Sequence, residues 1–364
     1  MPVKSNRPTI KQVAATAGVS TQTVSRVMND RPDVSPETRE RVLRVIKEMG
    51  YQPSALARSL IQQRSYTLGV VTAGLKYIGP SRTLSGITSA AEQAGYSLLL
   101  IELPSFDSNH VLPILQGFIS RHVDGIIWAV PEVGENRGWL KQPPLDLEIP
   151  IVFLSMQPRE NFPIVSIDNY LGGRMVMAHL FEQGYQNIGH ISGPLDWWEA
   201  RQRKAAWNDT LKEKGIAINE NHWVEGNWSA SSGARAIQVL FEKYPEMDAV
   251  FAANDQMALS VLQAACARNI QVPQDFGIVG FDNLEESPYF CPSLSTVQVE
   301  QQNMGKAAVE RIVRIIEAGW QNSEVNEPLS VVFKPTLVIR ESSSRRLIEE
   351  KKEVITEIIN EFGG

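Results

Sequence analysis

The chain has 364 residues, 43% of them hydrophobic and 21% charged, which is the composition of a globular protein with two or three domains. No apolar run approaches the ~20 residues of a membrane span, and the first residues carry positive charge without the apolar stretch of a secretory signal. Two cysteines are too few for a disulfide framework or a zinc site. We therefore expect no metal or other cofactor, no membrane partner and a cytoplasmic location.

The charge of the chain is unevenly distributed. Residues 1–64 contain 11 Lys and Arg against 5 Asp and Glu, a net of +6, whereas the remaining residues contain 24 against 36, a net of −12. A basic N-terminal segment joined to an acidic body favours a polyanionic partner for that segment alone.

Residues 1–50 predict three short helices joined by tight turns. Each helix begins at a residue whose side chain can cap it: Thr9, Ser20 and Ser35. The expected apolar faces are Val13, Ala14 and Ala17, then Val24, Val27 and Met28, then Val42, Leu43, Ile46 and Met49. This pattern is typical of a helix-turn-helix DNA-binding domain.

The second helix is the candidate for reading DNA. Its outer face carries Thr21, Gln22 and Arg26, and these residue types contact a thymine methyl, adenine and guanine respectively. Smaller polar side chains nearby suit the phosphate backbone: Ser20, Thr23, Ser25 and Asn29. The alternative is a solvated helix face without a nucleic-acid partner.

Residues 51–65 predict a hinge and linker. Pro53 interrupts the chain, and Ser54 can cap a short helix whose Leu56 and Leu60 share one face. Such a helix is too short to be stable in isolation. It is either a linker that packs on the body or a hinge that inserts an apolar side chain into the minor groove.

Three stretches, "TIKQVAATAGVSTQTVSRVMN", "VSPETRERV" and "MGYQPSALARSL", resemble the DNA-binding head and hinge of the lactose-repressor (LacI/GalR) family of bacterial transcription regulators. The resemblance implies that Thr21, Gln22 and Arg26 read the major groove and that Leu60 intercalates. It also implies a repressor that binds palindromic operator DNA as a homodimer.

Residues 66–340 alternate short apolar runs with helix-length segments, which predicts parallel sheets covered on both faces. The predicted fold is thus an all-α helix-turn-helix head plus an α/β core with parallel doubly wound sheets. This core resembles the two-lobed periplasmic-binding-protein-like core of the same family, which implies that segments near 300–328 return to the first lobe. Residues 341–364 predict a helical tail that either packs on the body or pairs to form a tetramer.

Polar residues at the ends of predicted strands indicate a small-molecule site, because ligands of doubly wound sheets bind at the carboxyl ends of strands. These residues are Ser155, Asn254 and Asp282. Arg203 lies in "WWEARQRKAAW", and Trp197, Trp198 and Trp228 are available to stack on a sugar. The resemblance assigns Arg203, Asn254, Asp282 and Trp228 to the effector and places Tyr77 and Ser81 at the cleft. Ser155, Ile167 and Gln301 depart from the lactose-responsive pattern, which argues against a galactoside.

Enzyme activity is not expected, since the chain has no Walker loop, dinucleotide-binding glycine motif, nucleophile elbow or HExxH motif. The favoured function is a DNA-binding regulator controlled by a small sugar-like effector. A purine-responsive or phosphoprotein-assisted regulator of the same family is the alternative. A solute-binding protein is disfavoured, because the basic N-terminal segment would have no role in it and no secretory signal is expected.

Overall fold

The computed structural model describes residues 8–28, 30–51, 64–106, 111–133, 149–160, 162–321, 323 and 328–345. The chain divides into two compact units, Met1–Tyr66 and Thr67–Gly364, which we call the head and the body. The predicted hinge helix with Leu60, the phosphate-contact candidate Asn29, and the tail beyond Arg345 lie outside the described residues.

The described part of the head contains three helices, as predicted: α1 (Ile10–Ala17), α2 (Thr21–Met28) and α3 (Pro36–Met49). Each helix begins after the residue predicted to cap it: Thr9, Ser20 and Ser35. Gly18 ends α1 with a φ of 65°, a left-handed conformation that glycine adopts without steric cost.

The core of the head is formed by seven residues: Val13, Ala14, Ala17, Val24, Val27, Val42 and Val45. The predicted apolar stripe of α3 is wrong at one position, because Leu43 is 49% exposed and Val45 is buried instead. Val42 and Val45 lie three residues apart on one helical face, whereas Leu43 is rotated about 100° from Val42.

The first lobe of the body is built on a six-stranded sheet in the order β11-β5-β4-β3-β1-β2. Its strands are β1 (Thr67–Ala73), β2 (Ser97–Leu103), β3 (Gly125–Ala129), β4 (Ile151–Leu154), β5 (Ile164–Ile167) and β11 (Ser330–Phe333). All of its strand pairs are parallel. Its helices are α4 (Ile78–Gln93), α5 (Val111–Ile119) and α10 (Gln301–Gln321), and α10 packs on α4, β3 and β4.

The second lobe is built on a six-stranded sheet in the order β12-β10-β9-β8-β6-β7. Its strands are β6 (Ile188–Ser192), β7 (Trp223–Glu225), β8 (Ala249–Ala252), β9 (Gly277–Phe281), β10 (Ser295–Gln298) and β12 (Thr336–Val338). Only the edge strand β12 pairs in antiparallel orientation among the described strands. Its helices are α6 (Asn169–Glu182), α7 (Trp198–Glu213), α8 (Ala230–Lys243) and α9 (Asp255–Ala267). The doubly wound fold class is therefore confirmed.

The chain crosses between the lobes at three places: between β5 and α6, between β10 and α10, and between β11 and β12. The predicted return to the first lobe is confirmed, and it extends through β11 to Phe333. Three short connections side by side form a natural hinge for the movement of one lobe against the other.

The first residues assigned to the C-terminal tail belong to the second lobe. Ser342, Ser343 and Ser344 are buried, and Ser342 Oγ donates to the Ile278 carbonyl at 2.6 Å. His179 Nε2 lies 2.7 Å from Ser343 Oγ. Residues 342–344 therefore pack on the second lobe, where the Ser342 hydroxyl group bonds to the first residues of β9 and β10.

Candidate functional site

The outer face of α2 carries the side chains predicted to read bases. Thr21 and Gln22 are exposed in its first turn, and Arg26 follows one turn later on the same side. Arg26 Nη1 lies 3.3 Å from Asp33 Oδ2, and both side chains are about half exposed. The opposite face of α2 is buried in the core of the head, so the three side chains are presented to solvent.

The candidates for phosphate contacts lie beside this face. Thr23 N–H donates to Ser20 Oγ at 3.0 Å, and the two hydroxyl oxygens are 2.9 Å apart, so both are engaged at the start of α2. Ser25 is half-buried on α2. Asn29 and the intercalation candidate Leu60 lie outside the described residues. The DNA contacts of these side chains remain predictions.

A cavity that is partly open to solvent lies between the two lobes of the body. Six of the seven predicted effector residues line it: Tyr77 and Ser155 from the first lobe, and Arg203, Trp228, Asn254 and Asp282 from the second. The seventh, Ser81, is exposed and does not line the cavity. Helix α4 begins at Ile78, so Ser81 is already helical and lies on the outer side, while Pro80 and Thr83 lie at the cavity.

The guanidinium of Arg203 is the electrostatic centre of the cavity. Its Nε donates to Asn169 Oδ1 at 2.9 Å, and its Nη1 donates to the Ala253 carbonyl. Its Nη2 lies 3.7 Å from Asp282 Oδ1, and its carbon lies 3.6 Å from the centroid of the Phe281 ring. Burial lowers the pKa of Arg203, and the neighbouring carboxylates oppose that shift. A guanidinium held in this way stays protonated and has a fixed orientation.

Asp282 follows β9 and adopts a φ of 103°, outside the range that side chains usually allow. Burial raises the pKa of its carboxyl group, and the positive charges of Arg203 and Arg82 oppose this rise. Gln301 Nε2 approaches Asp282 Oδ1 at 3.4 Å. The strained backbone thus aims a carboxylate into the cavity, a feature often associated with binding sites.

Asn254 caps α9 and also supports the cavity wall. Its Oδ1 accepts from Met257 N–H at 3.0 Å, and its Nδ2 donates to the Trp228 carbonyl at 2.9 Å. The neighbouring Asp255 accepts hydrogen bonds from Leu284 N–H and from the hydroxyl groups of Ser287 and Thr296, which holds the loop after Asp282. The capping asparagine therefore links α9 to the segment that carries Trp228.

Aromatic rings form a continuous wall along the cavity. The centroid of Trp197 lies 5.7 Å from that of Trp228 and 6.2 Å from that of Tyr77, both in edge-on geometry. Trp228 adopts a φ of 69°, and its ring occupies the space that a Cβ at Gly193 would fill, 2.1 Å away. Glycine is therefore required at position 193 by the close approach of the ring. The face of such a ring suits the apolar C–H face of a sugar, and Trp197 and Trp228 both line the cavity.

Glu199 and Asn169 are among the cavity residues that the sequence did not indicate. Glu199 lies four residues before Arg203 on α7, so helical spacing alone could have indicated that both reach the same side. Asn169 follows β5, a strand that was not predicted, and no local signal identifies it. Arg201, two residues before Arg203, donates to the carbonyls of Leu195 and Asp196.

One side chain bridges the lobes beside the cavity. Arg82, on α4 of the first lobe, donates from Nη1 to the carbonyl of Asp282 at 3.1 Å and to that of Asn283 at 3.4 Å. Both carbonyls belong to the second lobe. The position of the Asp282 carboxylate is therefore tied to the arrangement of the lobes.

Within the described ranges, no cluster of three or more His, Cys, Asp or Glu side chains could hold a metal ion. No helix in that part of the chain is long and apolar enough to cross a membrane.

Comparison with known proteins agrees with this division of the chain. Residues 9–54 match the profile of bacterial regulatory proteins of the lacI family, and residues 177–343 match that of a periplasmic binding protein-like domain. The ribose operon repressor of Haemophilus influenzae is 31% identical over 335 residues, 92% of this chain and 98% of that protein. The HTH-type transcriptional repressor PurR of Haemophilus influenzae (strain PittEE) is 31% identical over 343 residues, 92% of this chain and 98% of that protein. The crystal structure of the lac repressor dimer bound to operator and the anti-inducer ONPF aligns with a TM-score of 0.81 and 29% identity, covering 93% of this chain and 100% of that one.

Proposed function

Because the chain belongs to the lacI family of bacterial regulatory proteins, and is therefore a DNA-binding transcriptional regulator, we propose that it represses transcription under the control of a small sugar. It binds a palindromic operator as a homodimer, and the sugar occupies the cavity between the lobes. Its site of action is the cytoplasm, where the DNA lies, and it has no catalytic role.

The head supplies the DNA contacts. Thr21, Gln22 and Arg26 project from the solvent-facing side of α2, with the side-chain types that read base edges in the major groove. A two-fold dimer places two copies of α2 on two half-sites, which is why the operator is palindromic. Leu60 of the hinge is assigned to the minor groove on the resemblance of its segment alone.

The observation that carries the sugar assignment is the Arg203–Asp282 pair facing an aromatic wall. A guanidinium and a carboxylate bind neighbouring hydroxyl groups in a bidentate manner, while Trp197 and Trp228 offer surfaces for the C–H face of the ring. This combination of a few directed polar groups and several aromatic rings is typical of carbohydrate sites.

Control of DNA binding follows from the position of the cavity. An effector that touches both lobes binds one lobe arrangement better than the other and shifts the equilibrium toward it. The hydrogen bond from Arg82 to the Asp282 carbonyl couples the effector to the arrangement of the lobes. Asp282 faces the effector with its carboxylate, and Arg82 of the opposite lobe holds its backbone. The change in operator affinity cannot exceed the difference in effector affinity between the two arrangements.

A ligand screen by thermal unfolding of the full chain tests the proposal. The ligands are mono- and disaccharides, polyols, sugar phosphates and purine bases. A ligand at about 100 times its dissociation constant stabilises by about 2.7 kcal/mol. Stabilisation by a sugar supports the proposal. Stabilisation by purines alone would move the chain to the alternative represented by its relative PurR, and no stabilisation would favour control by a phosphoprotein partner.

A further inference from the structure

Glu199 lines the cavity, and its carboxyl group has no assigned contact with the effector. This residue lies in the first turn of α7, four residues before Arg203. Its own backbone N–H bonds to the carboxylate, but within the described part of the chain nothing donates to its buried Oε2. A ligand group that donates a hydrogen bond to this buried oxygen offsets the cost of its burial.

Two other side chains that line the cavity also carry polar atoms to which a ligand can bond. Gln301 Oε1 is an acceptor and Trp228 Nε1 is a donor, and among the described residues neither has a hydrogen-bond partner. These three unpartnered atoms are thus two acceptors, including Glu199 Oε2, and one donor. A hydroxyl group both donates and accepts, so a ligand rich in hydroxyl groups can bond to all three.

The positive charge of Arg203 is balanced by the carboxylate of Asp282. Of the described residues that line the cavity, only Arg203 is cationic, while Glu199 and Asp282 are acidic. Arg203 bonds to Asn169 Oδ1 and to the Ala253 carbonyl, and it pairs with Asp282. An anionic ligand would thus meet two carboxyl groups and one cation whose charge Asp282 already balances.

We infer that Glu199 determines the charge class of the effector: it accepts hydrogen bonds from an uncharged, hydroxyl-rich sugar and excludes sugars that carry phosphate. This inference rests on the proposed sugar effector and narrows it. Burial raises the pKa of Glu199 to about 7, so hydroxyl donors from a bound sugar stabilise its ionised form at neutral pH. A phosphate group in the same place requires Glu199 to stay protonated, which costs free energy once the pH exceeds the pKa of this group, about 7.

The test uses matched pairs of an uncharged sugar and its phosphate ester on the full chain. The pairs are glucose and glucose 6-phosphate, ribose and ribose 5-phosphate, galactose and galactose 1-phosphate, and trehalose and trehalose 6-phosphate. Thermal unfolding identifies the binding pairs, and isothermal titration gives both dissociation constants. The variants are Glu199→Gln, which keeps the shape but replaces one oxygen with an amide donor, and Glu199→Ala. Glu242→Gln, an exposed glutamate on α8, is the control.

We expect an uncharged sugar to bind the parent chain at least about tenfold more tightly than its phosphate ester. Glu199→Gln and Glu199→Ala should each weaken binding of the uncharged sugar by about tenfold and reduce that discrimination, and Glu242→Gln should behave as the parent. A phosphate ester that binds as tightly as its parent sugar overturns the inference and leaves the sugar proposal intact. Parent-like sugar affinity in both Glu199 variants overturns it as well. Binding of purine bases with no sugar binding refutes the sugar proposal itself, and this inference with it.

Discussion

Replacement of Glu199 by glutamine should stabilise the effector-free body at neutral and alkaline pH. Burial raises the pKa of Glu199 from 4.5 to about 7, with Arg203 and Arg201 lowering it and Glu132 raising it further. The folded chain keeps this proton up to about pH 7, whereas the unfolded chain loses it near pH 4.5. The free energy of unfolding therefore falls as the pH rises through that interval and stays lower above it. Glutamine does not ionise and avoids this loss.

The size of the effect follows from the distance between the two pKa values. At 1.36 kcal/mol for each pKa unit, ionisation of Glu199 lowers the free energy of unfolding by about 3 kcal/mol above pH 7. The advantage of Glu199→Gln over the parent should therefore be about 2–3 kcal/mol greater at about pH 8 than at about pH 5. Asp255 and Asp282 also have raised pKa values, but they are present in both proteins, and their contributions cancel in the difference.

Urea unfolding followed by tryptophan fluorescence measures this difference at fixed protein concentration. All 8 tryptophans lie between residues 128 and 320, so the signal reports on the body and not on the head. Glu242→Gln, which replaces an exposed glutamate of the same body, is the control. An advantage of Glu199→Gln that is the same at both pH values would refute the conclusion that the buried carboxyl group destabilises the empty site.

Three other substitutions test the two binding sites. Arg26→Ala should remove about 1–3 kcal/mol of discrimination between operator and random DNA in fluorescence anisotropy at fixed salt; equal weakening on both DNAs would contradict base reading. Gly193→Ala places a Cβ 2.1 Å from the Trp228 ring, so the ring must move, and stabilisation by sugar in thermal unfolding should be lost. Unchanged stabilisation would argue against Trp228 as a sugar contact. Asp282→Asn removes the charge opposite Arg203 and should weaken the sugar by about tenfold or more in isothermal titration, a result that parent-like affinity would contradict.

The head could be predicted almost completely from the sequence, because its helices begin and end at local signals. Thr9 and Ser35 cap the helices that follow them, and Gly18 ends α1 in a left-handed conformation. Val45 lies about 60° from Val42 around α3 and Leu43 about 100° on the other side, a small difference that becomes decisive only when the other two helices pack against it.

The body was predictable as alternating strands and helices, but the site only in part. Asp282 and Asn254 were found because they directly follow buried strands, and parallel strands bring such residues to one edge. Ser81 was misplaced because the start of α4 has no capping side chain to mark it. Glu199 could not be recognised as an unpaired carboxyl group until the burial of its oxygen was known.

The central claim, that a sugar bound in the body controls DNA binding by the head, is tested most directly by one titration. The full chain is first bound to a palindromic DNA selected from a random library, and the sugar identified by thermal unfolding is then added while anisotropy is recorded. We predict that saturating sugar changes the dissociation constant for this DNA by about tenfold or more, and that Asp282→Asn abolishes the change. A dissociation constant that stays constant in saturating sugar, with the parent chain shown to bind that sugar, would contradict the claim.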